Sequence, residues 1–211
     1  MPFNRSVNKA QKSFLYNVCD VLLNVVIIVA TVAVIRTFIV SPFEVECNSM
    51  VPTLEDNQYI IINKFNYIFG EPSRGDVVVF HPPSDSRKYY VKRIIGMPGD
   101  KIVIRDGDVF IEDNGVEREL KENYLDEKNT GRTFIAPVGT GDKSEKKYFV
   151  PNGSYFLLGD NRQGSLDSRS FRNAQGEETP YVETENISGR VWLVALPITK
   201  SHALQTPNYE Q

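Results

Sequence analysis

The sequence predicts a mainly β protein: an N-terminal transmembrane helix followed by a compact antiparallel β domain that carries a small variable insertion. Three observations predict it. A long apolar run, "VLLNVVIIVATVAVIRTFIV", fills residues 21–40. Beyond Ser41, short alternating or apolar runs recur between Gly, Pro, Asn and Asp, the pattern of short strands. Asp106-Gly107 and Asn114-Gly115 are dipeptides that accept the positive φ angles of tight hairpin turns.

The helix comes first. Val21 to Ile35 carries no charge, and Asn24 and Thr31 are its polar interruptions. Crossing the hydrocarbon takes about 20 residues, so the span is expected at residues 18–40, with Asp20 and Arg36 near the two interfaces. Arg5, Lys9 and Lys12 precede it, and Arg36 is the only basic residue just after it. The positive-inside rule then puts residues 1–17 in the cytoplasm and the rest outside, in a cell-membrane protein of a single pass.

The strands follow in order. In "FEVEC", Phe43, Val45 and Cys47 share a face. "QYIIINKF", "GDVVVFH" and "KYYVKRII" are strand-like, and "KIVIRDGDVFIED" reads as a hairpin about Asp106 and Gly107. These give a first part of the domain at 41–115. Residues 116–149 are charged and read as a solvated insertion, with a short strand at "TFIAPV". Order resumes with "KYFVPNGSYFLLGDN", and "GRVWLVALPI" is the last strand of a second part at 150–198. Residues 199–211 read as a loose tail.

Composition excludes several functions. In 211 residues, 24 Lys+Arg against 27 Asp+Glu leave a net charge of -3, which gives no electrostatic case for binding nucleic acid. Two cysteines, Cys19 and Cys47, make neither a zinc spacing nor a disulfide framework. No metal or organic cofactor is implied. The two histidines lie in unpromising places, His81 in a turn after a strand and His202 in the tail.

A nucleophile is suggested by "CNSMVPTL" at 47–54, where Ser49 follows the first extended run. A serine hydroxyl needs a base to take its proton. With histidines disfavoured, Lys92 in "YYVKRIIG" is the candidate. Alternation puts Tyr90, Lys92 and Ile94 on one face and Val91, Arg93 and Ile95 on the other. The same pattern also fits an exposed edge strand protected by a lysine. If Lys92 is buried, desolvation lowers its pKa and leaves a neutral amine able to act as a base.

Together "SMVPTL" (49–54), "YYVKRIIGMPGD" (89–100) and "GDNRQGSLDSR" (159–169), in this order behind an apolar helix, resemble the bacterial type I signal peptidases, membrane-bound serine–lysine leader peptidases. The resemblance implies Ser49 as nucleophile and Lys92 as general base, with Ser165 hydrogen-bonded to Lys92. It implies ion pairs of Arg93 with Asp160 and of Asp167 with Arg169. Phe43, Val45, Cys47, Leu54 and Val91 would line shallow pockets for small side chains. The implied substrates are exported preproteins with a small-x-small site just outside the membrane, so the partners are preproteins carrying signal peptides and the lipid itself.

Some positions depart from the family pattern. Cys47 stands where many relatives have glycine and some a serine whose hydroxyl completes the oxyanion hole. Asn48, Arg172 and the Leu196-Pro197 ending also differ from the usual residues. Two other readings compete: a self-cleaving repressor-type Ser/Lys peptidase, and a membrane-anchored homologue that binds without catalysis. Residues 1–40 offer no DNA-binding module for the first, and the intact Ser49, Lys92 and Ser165 speak against the second.

Overall fold

The computed structural model describes the backbone of residues 4–65, 67, 70–135, 144–207 and 209, and their side chains outside 4–15 and 37–38. The chain forms two compact units, Met1–Val40 and Ser41–Gln211.

The first unit is one helix, α1 (Asn4–Phe38), which starts well before the expected Val18. The sequence cue marked only its apolar part, since the polar residues ahead of it continue the helix without a hydrophobic signature. Tyr16–Arg36 is the segment long and apolar enough to cross a membrane; its 21 residues span about 31 Å at the helical rise. Its apolar side chains are exposed all round the helix, as suits lipid rather than a protein core. Arg5, Lys9 and Lys12, on which the expected orientation rests, lie outside the residues whose side chains are described.

The second unit is built on twelve strands among the described residues. They are β1 (Val40–Glu44), β2 (Tyr59–Asn63), β3 (Val77–Phe80), β4 (Tyr90–Gly96), β5 (Lys101–Arg105), β6 (Asp108–Asp113), β7 (Val116–Glu119), β8 (Lys146–Phe149), β9 (Ser154–Leu158), β10 (Val182–Glu183), β11 (Ile187–Leu196) and β12 (His202–Ala203). One sheet runs β1-β2-β11-β3-β4-β9-β10, with β12 added on β11, and the other runs β7-β6-β5-β8. The hairpins turn where the sequence put them: Asp106 and Gly107 have φ of 55° and 97°, and Asn114 and Gly115 of 51° and 79°. Positive φ at both turn residues matches the twist of the flanking strands.

Strand β4 is central, antiparallel to β3 on one side and to β9 on the other. Lys92 is therefore not an edge-strand lysine. One face of the β3–β4 pair packs Val77, Val79 and Val91 with Val45, Met50, Leu54 and Ile60. The other packs Val78, Phe80 and Ile94 with Tyr155 and Leu157. β9 ends at Leu158, opposite Arg93, so the loop at 159–169 starts beside Lys92.

Two expectations need correcting. The charged stretch at 116–149 is not simply a solvated excursion. It contributes β7 and β8 to the second sheet, and Leu120, Asn129, Thr133 and Tyr148 are buried. Its expected strand at "TFIAPV" reduces to a single bridge of Thr133 to Gly107, and residues 136–138 lie outside the described residues. The tail from Thr199 is not loose either. β12 pairs with β11, Leu204 joins the core, and Thr206 Oγ1 donates to Asp76 at 2.7 Å.

Candidate active site

Ser49 sits in a turn that follows β1, where the Leu54 N–H bonds to the Met50 carbonyl at 3.0 Å. Lys92 reaches it from β4. Its Nζ donates to Ser49 Oγ at 2.7 Å and to the Val91 carbonyl at 2.8 Å. Both residues are nearly dry, with exposures of 6% for Ser49 and 3% for Lys92. Burial lowers the Lys92 pKa, because the ammonium loses more by leaving water than the amine does, and this outweighs the opposing charges of Asp167 and Asp160. Cys47 Sγ lies 3.3 Å from the same Ser49 Oγ, on a backbone with φ of 149°, a region that favours glycine.

Beneath this pair the charges are matched. Arg93 Nε and Nη2 donate to the two oxygens of Asp160 at 2.9 and 2.7 Å, a two-pronged pair that fixes both planes. Arg169 makes the same fork on Asp167, at 2.8 and 2.7 Å. Burial works to raise the Asp167 pKa, yet the Arg169 guanidinium and the Gly159 N–H hold that carboxyl below its ordinary range. Asp167 Oδ2 accepts the Gly159 N–H at 3.1 Å, so this pair also pins the start of the loop.

Beside the pair lies a groove of about 680 Å³, lined by Phe43, Val45 and Cys47 from the first extended run and by Tyr89, Val91 and Lys92 from β4 and the residue before it. The Phe43 and Tyr89 ring centroids lie 5.0 Å apart, and the His81 ring packs tilted against Tyr89 at 4.3 Å. Leu54 departs from expectation: it is fully buried in the core and is not among the groove's lining residues. Instead Leu166, exposed, lines it from the 159–169 loop.

Ser165 also departs. It is 1% exposed, and its Oγ has no hydrogen-bond partner, on Lys92 or elsewhere. It packs against Gly159, where an added Cβ would fall 2.1 Å from Ser165 Oγ and 2.5 Å from the Ser49 carbonyl oxygen. Only glycine allows that approach, and Ser165 Oγ sits in this cramped loop without a partner. Neither histidine touches Ser49. His81 Nδ1 lies 3.0 Å from the Lys88 carbonyl, and His202 Nδ1 lies 2.8 Å from that of Lys200. Among the described residues no group of three His, Cys, Asp or Glu could hold a metal ion.

Three partners escaped the sequence reading. Thr53 Oγ1 donates to Asp160 and accepts from Arg93 Nη2 at 3.2 Å. Gly159 permits the close approach just described. Arg162, fully buried, pairs with Glu122. A signal for Arg162 was present: with Asp160 and Asp167 assigned to other arginines, "GDNRQGSLDSR" holds one cation more than its acids can match.

Comparison with known proteins places the chain in a peptidase class. The family described as "Signal peptidase, peptidase S26" matches residues 18–196. Signal peptidase I of Rickettsia canadensis is 36% identical over 207 residues, covering 79% of this chain and 74% of that protein. Signal peptidase I U of Bacillus subtilis is 38% identical over 159 residues, covering 75% of this chain and 80% of that protein. The chain belongs to the signal peptidase I family, peptidase S26, and shares its general activity as a protease that cleaves signal peptides. A crystal structure of a signal peptidase I from Enterococcus faecalis V583 overlays with a TM-score of 0.38 at 29% identity, covering 57% of this chain and 97% of that one.

Proposed function

We propose that the chain is a membrane-anchored serine endopeptidase in which Ser49 and Lys92 remove N-terminal signal peptides from exported preproteins at small-x-small sites. The observation that carries this is the 2.7 Å contact of Lys92 Nζ with Ser49 Oγ in a dry position at the base of the groove. With Lys92 neutral, the contact runs the other way. The amine takes the hydroxyl proton as Ser49 Oγ attacks the scissile carbonyl carbon. The oxyanion that forms is met by the Ser49 N–H and by whatever donor position 47 supplies. The Lys92 ammonium then gives its proton to the leaving amine. Water, deprotonated in turn by Lys92, hydrolyses the ester and returns Ser49.

The substrate reading follows from the walls. An extended peptide can pair with the segment at 43–47, which runs on from the end of β1, with Phe43, Val45, Cys47 and Val91 selecting small side chains. Leu54 limits depth from beneath by packing under this wall. Arg93 with Asp160, and Asp167 with Arg169, hold the loop that backs Ser49. Residues 16–36 hold the enzyme in the membrane, N-terminus inside and the β unit outside, where exported chains emerge.

The deciding experiment is cleavage of a preprotein by the purified protein in detergent. Ser49→Ala and Lys92→Ala should each abolish processing while the β fold persists. Retained processing in either folded variant would sink the dyad. Protease added outside intact cells should digest the β unit and spare an N-terminal fragment; protection of the Lys92 region would reverse the topology.

A further inference from the structure

Arg162 is fully buried, and a guanidinium out of water is costly unless a carboxylate meets it. Its own loop has none to spare, because Asp160 is held by Arg93 and Asp167 by Arg169. The partner comes from the charged stretch that looked solvated. Both oxygens of Glu122 accept from the Arg162 fork. Thr133 Oγ1 accepts from the same guanidinium, and Asn129 Oδ1 accepts the Arg162 N–H at 2.8 Å. The stretch grips the other two arginines as well. The Tyr124 ring lies 3.9 Å from Arg93 Cζ, and the Phe134 carbonyl accepts from Arg169 Nη1 at 3.0 Å.

The gripped loop in turn holds the nucleophile. The Asn161 N–H donates to the Ser49 carbonyl at 3.1 Å, and Asn161 Nδ2 donates to the Asn48 carbonyl at 3.0 Å. Asn161 lies between Asp160 and Arg162, the two residues whose charges are pinned. We infer that residues 122–134 form a clasp that sets Ser49 against Lys92, with Glu122 and Tyr124 as positioning residues for the reaction. This rests on the Ser49–Lys92 reading. The clasp touches neither reacting atom and acts through Arg162, Arg93 and Asn161.

A misplacement near 1 Å costs about 10²-fold in rate. The test is preprotein cleavage with kcat and KM resolved, at a temperature well below each variant's unfolding midpoint and normalised to folded protein. Glu122→Gln should lower kcat at least ~10-fold with KM within about twofold. Glu122→Asp, which keeps the charge, should recover most of it. Tyr124→Leu, which removes the ring over Arg93, should lower kcat to a smaller degree and serves if Glu122→Gln does not fold. Ile104→Val, buried in β5 away from the site, supplies a destabilised control with normal kcat. Wild-type kcat per folded molecule in Glu122→Gln and Tyr124→Leu, or a loss confined to KM, overturns the clasp. Ser49→Ala assayed alongside separates the two readings, because turnover there would sink the dyad itself.

Discussion

Lys92 and Leu166 line the same groove under opposite physical conditions. Lys92 is buried among matched charges, whereas Leu166 stands 61% exposed, and Tyr89, which also lines the groove, is 52% exposed. The floor spends its polar groups on one another: Arg93 on Asp160, Arg169 on Asp167, Arg162 on Glu122. The rim carries aromatic and apolar side chains with one another as their main company. The difference separates two kinds of consequence. Floor substitutions should change rate and stability together, because each leaves a charge stranded in a dry place. Rim substitutions should change which substrate is accepted and leave the fold alone.

The strongest break in that rule is Lys92→Met. It should abolish turnover yet leave the protein at least as stable as wild type, because Lys92 is, among the described floor residues, a buried basic group without a carboxylate of its own. The sign follows from linkage. The folded pKa of Lys92 lies below its unfolded value of 10.5, so the unfolded chain binds more protons between the two. Wild type therefore loses stability as pH falls through that window, and Lys92→Met does not. The stability margin of Lys92→Met should widen as pH is lowered, and denaturant melts at several pH values would show it. A variant less stable than wild type at every pH would break the comparison.

Asp160→Asn should be the costliest for the fold, since it strands the Arg93 guanidinium. A loss of about 3–5 kcal/mol in chemical unfolding is expected. A loss below 1 kcal/mol would mean the floor tolerates an unmatched charge.

Acid should act on the same residues by two routes. kcat/KM should rise with pH through the lowered pKa of Lys92, because only the neutral amine is a base. Stability should fall at lower pH, as protons reach Asp167, whose folded pKa lies below the ordinary 3.8. That contribution is present above the unfolded value and lost as pH drops through the folded one. A flat pH–rate profile with chemistry limiting would contradict the first part.

Cys47 sits between floor and rim and gives a subtler test. A thiol is a weak donor, so Cys47→Ser should raise kcat by well under the ~10²-fold of a full oxyanion donor, with KM little changed. The positive φ is common to both variants, so backbone strain does not confuse them. Unchanged or lower kcat would make Cys47 a wall of the pocket only. The smallest effects belong to His81→Ala and His202→Ala, which should process preprotein at near the normal rate; a large loss in either, with the fold intact, would reopen the identity of the base.

Much of the fold was legible because its cues are local. Alternation in "YYVKRIIG" set the two faces of β4, and the two Gly-ended dipeptides set two turns. Local cues also explain the failures. Glu122 lies among other charged residues, and nothing nearby marks it as the one whose partner, Arg162, is buried forty positions on. A two-residue strand such as β12 is too short to show a period, and its hold on the core comes from Leu204 beside it. Leu54 and Ser165 were placed by resemblance, and resemblance gives a neighbourhood, not a direction for each side chain. The close packing of Gly159 against Ser165 and Ser49 is a contact between distant parts of the chain, and no pattern along the chain reports it.

The two-unit division has a kinetic consequence. The contacts described for the site lie within Ser41–Gln211, so on the proposed reading the helix contributes to encounter and the β unit to chemistry. Confining enzyme and signal-bearing substrate to one sheet of lipid replaces a search through volume with a search across an area. Effective concentration then stands in for affinity. A shallow groove that grips a dissolved peptide poorly can still process its membrane-held substrates efficiently, and dissolved-peptide constants will understate the working enzyme.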